Sequence, residues 1–344
     1  MSSRKTGIGR RPVRPRFSPS QQVGTALVLV VIVAFTAYRY RTAKPAMAHL
    51  PANVAEQPAE SASAAPEQIS PVPAPKIDAN RAMGYVRDVV AFGPRPVGSA
   101  AHKKTEAYIV AHLKGAQVVS DEFKADTPAG KLPMRNIIAK FPGAKPGVIV
   151  IATHYDTLYG RNDFVGANDG GSGTGLLLEL VNQLRGPGRP GYSVWLVWLD
   201  GEEAIREWTE TDSVYGSRHL AAKWQQDGTI KQIKAFLLAD MIGDADLSID
   251  REKNSAPWLE DLVYQAATAL GFQSHFFRRG LPIEDDHIPF AQAGVPVVDL
   301  IDFDYGYANS YWHRPADTID KLSPRSLEIV GNVLLETTAM LDRR

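Results

Sequence analysis

The chain has 344 residues, room for about two ordinary domains or one large α/β domain. Its 38 Lys and Arg balance 38 Asp and Glu, but residues 1–55 hold nine basic residues and no acid, which leaves a body of net charge −9 and excludes one built to grip nucleic-acid phosphates. There is no cysteine, which excludes disulfides, a Cys nucleophile, iron–sulfur clusters and Cys-ligated zinc, so any metal must be held by His, Asp or Glu.

Residues 1–22 are a basic tail. Residues 23–38, VGTALVLVVIVAFTAY, carry no charge and have six basic residues before them and three after. That pattern predicts a short transmembrane anchor with its N-terminus in the cytoplasm. The alternative is a cleaved signal segment, because Ala46-Met47-Ala48 resembles a cleavage site, although it lies well past the apolar run. Both readings export the body, either membrane-anchored on the periplasmic or extracellular side or secreted. Residues 39–77, dominated by Pro and Ala, read as a semi-extended linker. Residues 78–344 read as one folded domain.

Within that domain Asp78 caps a helix to Phe92, stopped by Pro94 and Pro96. A second amphipathic helix is expected over Ala101–Leu113. Strands follow at Gln117–Phe123 and Met134–Phe141, with a turn at Ala129-Gly130. Gly147–Thr153 (GVIVIAT), Tyr192–Leu199 (YSVWLVWL), Ile233–Leu238 and Val295–Ile301 are apolar runs of the kind buried on both faces of a sheet. Helices are expected between them at Gly173–Leu184, near Ser217–Gln226 and at Ala256–Leu270, and a closing helix at Pro324–Leu341. The alternation predicts a single α/β domain with a mostly parallel, mixed central sheet flanked by helices, with ligands outside the carboxyl ends of its strands.

Polar residues gather at those ends. GVIVIAT runs into His154-Tyr155-Asp156, YSVWLVWL into Asp200-Gly201-Glu202-Glu203, and the third strand into Ala239-Asp240. Loops add Gly166-Ala167-Asn168-Asp169-Gly170-Gly171, Glu284-Asp285-Asp286-His287 and Trp312-His313. Each piece alone has a structural reading: Asp169 could cap the next helix, and Trp312-His313 could be packing. Together they bring several carboxylates and imidazoles to one pocket, where a divalent cation would relieve their repulsion, and the donor mix suits zinc.

The strings HYD, GANDGGSGTGLLLEL, DGEEA, DSVYGSRHLA, LLADMIG, IEDDHIPF, GVPVVDLI and YWH, in this order, resemble the zinc-dependent glutaminyl-peptide cyclotransferases of the animal type, within the zinc aminopeptidase superfamily. The resemblance spans about residues 78–341. It implies zinc ligands Asp169, Glu203 and His313, a general acid/base at Glu202, an acidic pair at Asp240 and Asp285, and a substrate pocket lined by Trp208, Ile283 and Trp312. Where the family often has Gln, this chain has Glu284. The implied reaction closes the N-terminal glutamine of a peptide to pyroglutamate with release of ammonia, on one zinc ion. The alternative is an aminopeptidase, in which His154 and Asp240 match the places that bind a second ion, so two zinc ions are possible. Expected partners are peptides with N-terminal Gln and, through the anchor, a membrane, with no nucleic acid.

Overall fold

The computed structural model describes residues 76–186 and 188–344; the expected basic tail, the anchor over 23–38 and the linker up to residue 75 lie outside the described residues. Two helices come first, α1 (Ala79–Val90) and α2 (Ala100–His112). Three strands follow, β1 (Gln117–Thr127), β2 (Gly130–Phe141) and β3 (Gly143–His154). Helix α3 (Gly171–Leu184) leads to β4 (Arg189–Leu199), and α4 (Tyr215–Gln226) to β5 (Ile233–Asp240). The rest comprises β6 (Ile249–Glu252), α5 (Pro257–Ala269), β7 (Phe276–Leu281), the short α6 (Ile288–Gln292), β8 (Val297–Ile301) and α7 (Pro324–Asp342). Among the described residues no helix is long and apolar enough to cross a membrane.

The central sheet has the order β1-β2-β4-β3-β5-β8. Pairs β3–β4, β3–β5 and β5–β8 are parallel, and the β1–β2 hairpin joins β4 antiparallel. The sheet is therefore mixed, as expected. Successive residues of β3 face opposite layers: Ile149 and Ile151 pack with the core under α1, α3, α5 and α7, whereas Val148, Val150 and Ala152 pack with Leu220 and Trp224 of α4 and Phe290 of α6. That double burial explains why β3 reads as a continuous apolar run. From β3 the chain crosses to β4 on one side, and the strands that come later add β5 and β8 on the other. The carboxyl ends of β3 and β5 thus sit at the switch point where α/β folds bind ligands.

Three expectations are corrected. The hairpin strands run to Thr127 and from Gly130, longer than expected: Phe123 and Ala125 alternate with exposed Lys124 and Asp126, but Ala125 is too small an apolar residue to mark the strand's continuation in the sequence. A small parallel sheet of β6 and β7 was not foreseen, since IDRE and FFRRGL show no strand period. Helix α2 is not amphipathic in the apolar sense: its buried residues are His102, Thr105 and Ile109.

His102 explains that inversion. Its Nε2 lies 2.7 Å from Asp200 Oδ1, at the end of β4, and its Nδ1 lies 3.2 Å from Glu106 Oε1. The ring stacks on Tyr155. Burial alone would lower the imidazole pKa, but Asp200 and Glu106 outweigh it and hold it up at about 10. A pKa raised from the ordinary value of about 6.5 contributes stability that is complete below about pH 6.5 and is lost as pH rises towards 10. The stability gap between wild type and His102→Gln should therefore be largest near pH 6 and shrink steadily to pH 10 in denaturant titrations. A gap that does not change with pH would show that the ring acts only by packing.

Candidate metal centre and active site

Asp169 does not cap α3. The cap is Gly170, in the left-handed region at φ 72°. A Cβ there would stand 2.8 Å from the Asp156 carbonyl oxygen and 3.0 Å from the His154 ring, so only glycine fits. The turn leaves the Asp169 side chain free to face the pocket. Its backbone is fixed on both sides: its N–H donates to Asp317 Oδ2 at 3.2 Å and its carbonyl accepts from Arg95 Nη2 at 3.1 Å. Arg95 is fully buried and also donates to the carbonyls of Tyr155, Val165 and Gly166. Burial lowers its pKa to about 10, which still leaves it charged. Burial and the charge of Asp169 push Asp317 up to about 7.

The two glutamates after β4 are divided by Asp156, whose carboxylate accepts from the N–H of Glu202 at 3.1 Å and of Glu203 at 3.3 Å. With the turn pinned, Glu203 points to Asp169 and His313, and Glu202 points into the cleft. His313 Nε2 lies 3.4 Å from Asp169 Oδ2 and 3.4 Å from Glu203 Oε2. One ligand atom from each of the three lies within 4.8 Å of the others. Asp169 Oδ2 and both carboxylate oxygens of Glu203 are buried without a hydrogen-bond partner among the described residues. Burial, with neighbouring carboxylates adding to it, pushes Glu202 and Glu203 well above the ordinary carboxylate range. Unpartnered buried anions facing one imidazole are what a cation would satisfy, and two carboxylates with one imidazole leave a position open on zinc. His313 itself has φ 54°, a conformation few non-glycine residues adopt, and its ring is stacked on Trp312 at 4.1 Å.

His154 stands beside this triad. Its Nε2 is 3.1 Å from Asp240 Oδ1 and 3.2 Å from Asp169 Oδ1, so it too could join a ligand group with those residues. The Asp240 contact is a hydrogen bond and the Asp169 contact is an ion-pair distance, so the imidazole links the two carboxylates directly.

The cleft in front has a volume of about 270 Å³. Its walls include Glu202, Asp240, Asp285, Trp208, Ile283 and Trp312, so the structure brings together every residue expected for catalysis and substrate binding. Trp312 is supported edge-on by Phe303. Behind Asp285 lie Asp286, His287 and Asp299, all buried, with His287 Nε2 3.1 Å from Glu252 Oε2. Burial is the largest cause raising Asp285 and Asp299 well above the ordinary range, and it lifts Asp286 to about 7; carboxyls so crowded must share protons.

Sequence reasoning missed the residue that shapes the Trp208 loop. The Asp212 carboxylate accepts three successive backbone N–H groups, from Ile205 (2.9 Å), Arg206 (3.0 Å) and Glu207 (3.1 Å), and the Tyr215 hydroxyl at 2.7 Å. Burial would raise its pKa, but these bonds hold it below the ordinary value. The loop is thereby folded back so that Trp208 lines the cleft. The signal was present as the first residue of DSVYGSRHLA, but nothing in the string names its backbone partners.

Residues 136–338 match the model of peptidase family M28. The chain is 33% identical over 272 residues to the mouse glutaminyl-peptide cyclotransferase-like protein, covering 70% of this chain and 70% of that one. It is similar to the crystal structure of an Acidobacteriales bacterium glutaminyl cyclase, with 51% identity and a TM-score of 0.77 over 82% of this chain and all of the other. A Zn-dependent exopeptidase from Parabacteroides distasonis is similar at 28% identity and a TM-score of 0.69, over 79% of this chain and all of the other.

Proposed function

The chain belongs to peptidase family M28, among its glutaminyl-peptide cyclotransferases, and we propose that it closes the N-terminal glutamine of peptides to pyroglutamate around one zinc ion held by Asp169, Glu203 and His313. The observation that carries this reading is the separation of roles at one turn: Glu203 faces the two other ligands and Glu202 faces the cleft. A zinc ion there would supply a Lewis acid for the side-chain amide carbonyl of the substrate.

The remaining work falls to this chain's own groups. Trp208, Ile283 and Trp312 hold the methylenes of the glutamine side chain in a curled conformation, which brings the α-amine to the amide carbon. Because the attack is intramolecular, such positioning can supply on the order of 7–11 kcal/mol of the barrier. Glu202 takes a proton from the attacking amine and returns it to the amide nitrogen, which leaves as ammonia when its bond to carbon breaks. Asp240 and Asp285 hold the leaving nitrogen by hydrogen bonds. His154, placed between Asp240 and Asp169, orients both. Its direct hydrogen bond to Asp240 supports one metal ion, and the Trp208 wall supports a curled glutamine side chain.

Ammonia release from a Gln-initiated peptide by metal-stripped protein should return in proportion to added zinc and saturate at one zinc per chain. Full activity without metal, or saturation only at two, contradicts the assignment.

Trp208→Ala should lower kcat/KM on Gln-peptides by about 10–1000-fold, at 1.4 kcal/mol per factor of ten, with zinc retained. Asp212→Ala should reproduce most of that loss by releasing the loop, and the double variant should add little to either. Asp212→Asn, which keeps one acceptor oxygen, should recover part of it. Fully additive losses would mean that Asp212 acts elsewhere.

We also assign residues 23–38 as a membrane anchor that exports the body, on the strength of their uncharged run between basic flanks. The full chain should fractionate with membranes, and deletion of residues 1–75 should release an active body. A full chain that stays in the soluble fraction overturns the anchor.

A further inference from the structure

A second cavity, of about 360 Å³, opens beside the catalytic cleft and shares Trp208, Glu284 and Asp285 with it. Its far side is formed by the Trp208 loop and the start of α4 (Thr209, Glu210, Ser213, Arg218) and by α6 with Gln292. The two cavities meet at Trp208, the residue placed against the reacting glutamine. A peptide whose first residue fills the cleft must send its second and third residues away from the zinc triad, and this groove adjoins the cleft across Trp208, Glu284 and Asp285. Asp285, which lines both cavities, is buried and has an oxygen, Oδ2, with no hydrogen-bond partner among the described residues.

The charges of the groove are unequal. Glu210 and Glu284 are exposed carboxylates that both line it. Its one cation among the described residues, Arg218, is already engaged: Nε donates to the Ser213 carbonyl at 3.1 Å, Nη2 donates to the carbonyls of Ser213 and Thr211, and the guanidinium lies over the Tyr215 ring. No carboxylate of this groove is paired with a basic side chain among the described residues.

We propose that this groove binds the second and third residues of the peptide substrate and, through Glu210 and Glu284, selects for Lys or Arg there and against Asp or Glu. The inference rests on the cyclase reading above. It deepens that reading by naming a preference within the class of Gln-initiated peptides.

The test compares kcat/KM on amide-capped peptides that begin Gln-Ala-Ala, Gln-Lys-Ala, Gln-Ala-Lys, Gln-Glu-Ala and Gln-Ala-Glu, using the zinc-loaded enzyme at low and high salt. Lys should be preferred over Glu at the second or third position by about tenfold at low salt, and the ratio should fall towards one as salt rises. The same ratio should drop below about twofold in the Glu210→Gln/Glu284→Gln variant, with each single variant in between. Turnover of the neutral Gln-Ala-Ala peptide with a Lys-to-Glu ratio near one in the wild type overturns the groove and leaves the cyclase reading intact. So does a ratio that the double variant leaves unchanged. No turnover on any of the five peptides overturns the cyclase reading itself and the groove with it.

Discussion

Glu202→Gln should keep its zinc and lose about two to four orders of magnitude in turnover on Gln-peptides, the range that a positioned general acid/base contributes. Glutamine has the same shape and keeps the backbone N–H on Asp156, so the turn and the neighbouring Glu203 stay in place. What it lacks is a site that can take a proton from the amine and hand it to the departing nitrogen. Zinc content by mass spectrometry or plasma emission, measured beside kcat, separates the two effects. Zinc lost together with activity would mean that Glu202 is itself a ligand.

Glu203→Gln and Asp169→Asn should do the opposite and lose the metal first. Both side chains carry buried oxygens that no hydrogen bond among the described residues satisfies, and both meet His313 Nε2 at 3.4 Å. Changes in the shell outside a metal site already cost about 10–100-fold in affinity, and loss of a direct carboxylate ligand should exceed that. Competition with a chelator gives the affinity. Activity should return at high added zinc in part only, because the remaining two ligands hold the ion loosely. Wild-type zinc affinity in either variant would remove that residue from the triad.

The parts of the site that could be read without the family resemblance share one property: they follow long apolar runs. His154, Glu202, Glu203 and Asp240 stand at or just beyond the ends of β3, β4 and β5, and a parallel sheet brings such ends together whatever the details of its loops. The roles of Asp169, Asp285, His313 and the pocket residues Trp208, Ile283 and Trp312, which follow no such run, were legible only through the strings that resemble the family. Arg95, Asp212 and Asp317 were not legible as positioning residues. Their partners are mostly backbone carbonyls and N–H groups, which every residue carries, so no residue pairing in the string marks them. Helix α2 misled for the converse reason: its inward face is set by an ion pair to Asp200, 98 residues away, and not by an apolar period. The β6–β7 sheet is short and polar, and pairing across α5 rather than local pattern creates it.

The central claim is that this cleft joins the substrate's own amine to its side-chain amide and does not deliver water to the peptide bond. Mass spectrometry of a Gln-initiated peptide after incubation with the zinc-loaded protein tests it most directly. The account predicts a product lighter by one ammonia, with every residue of the peptide still present. A product shortened by its first residue, with free glutamine in solution, would contradict it.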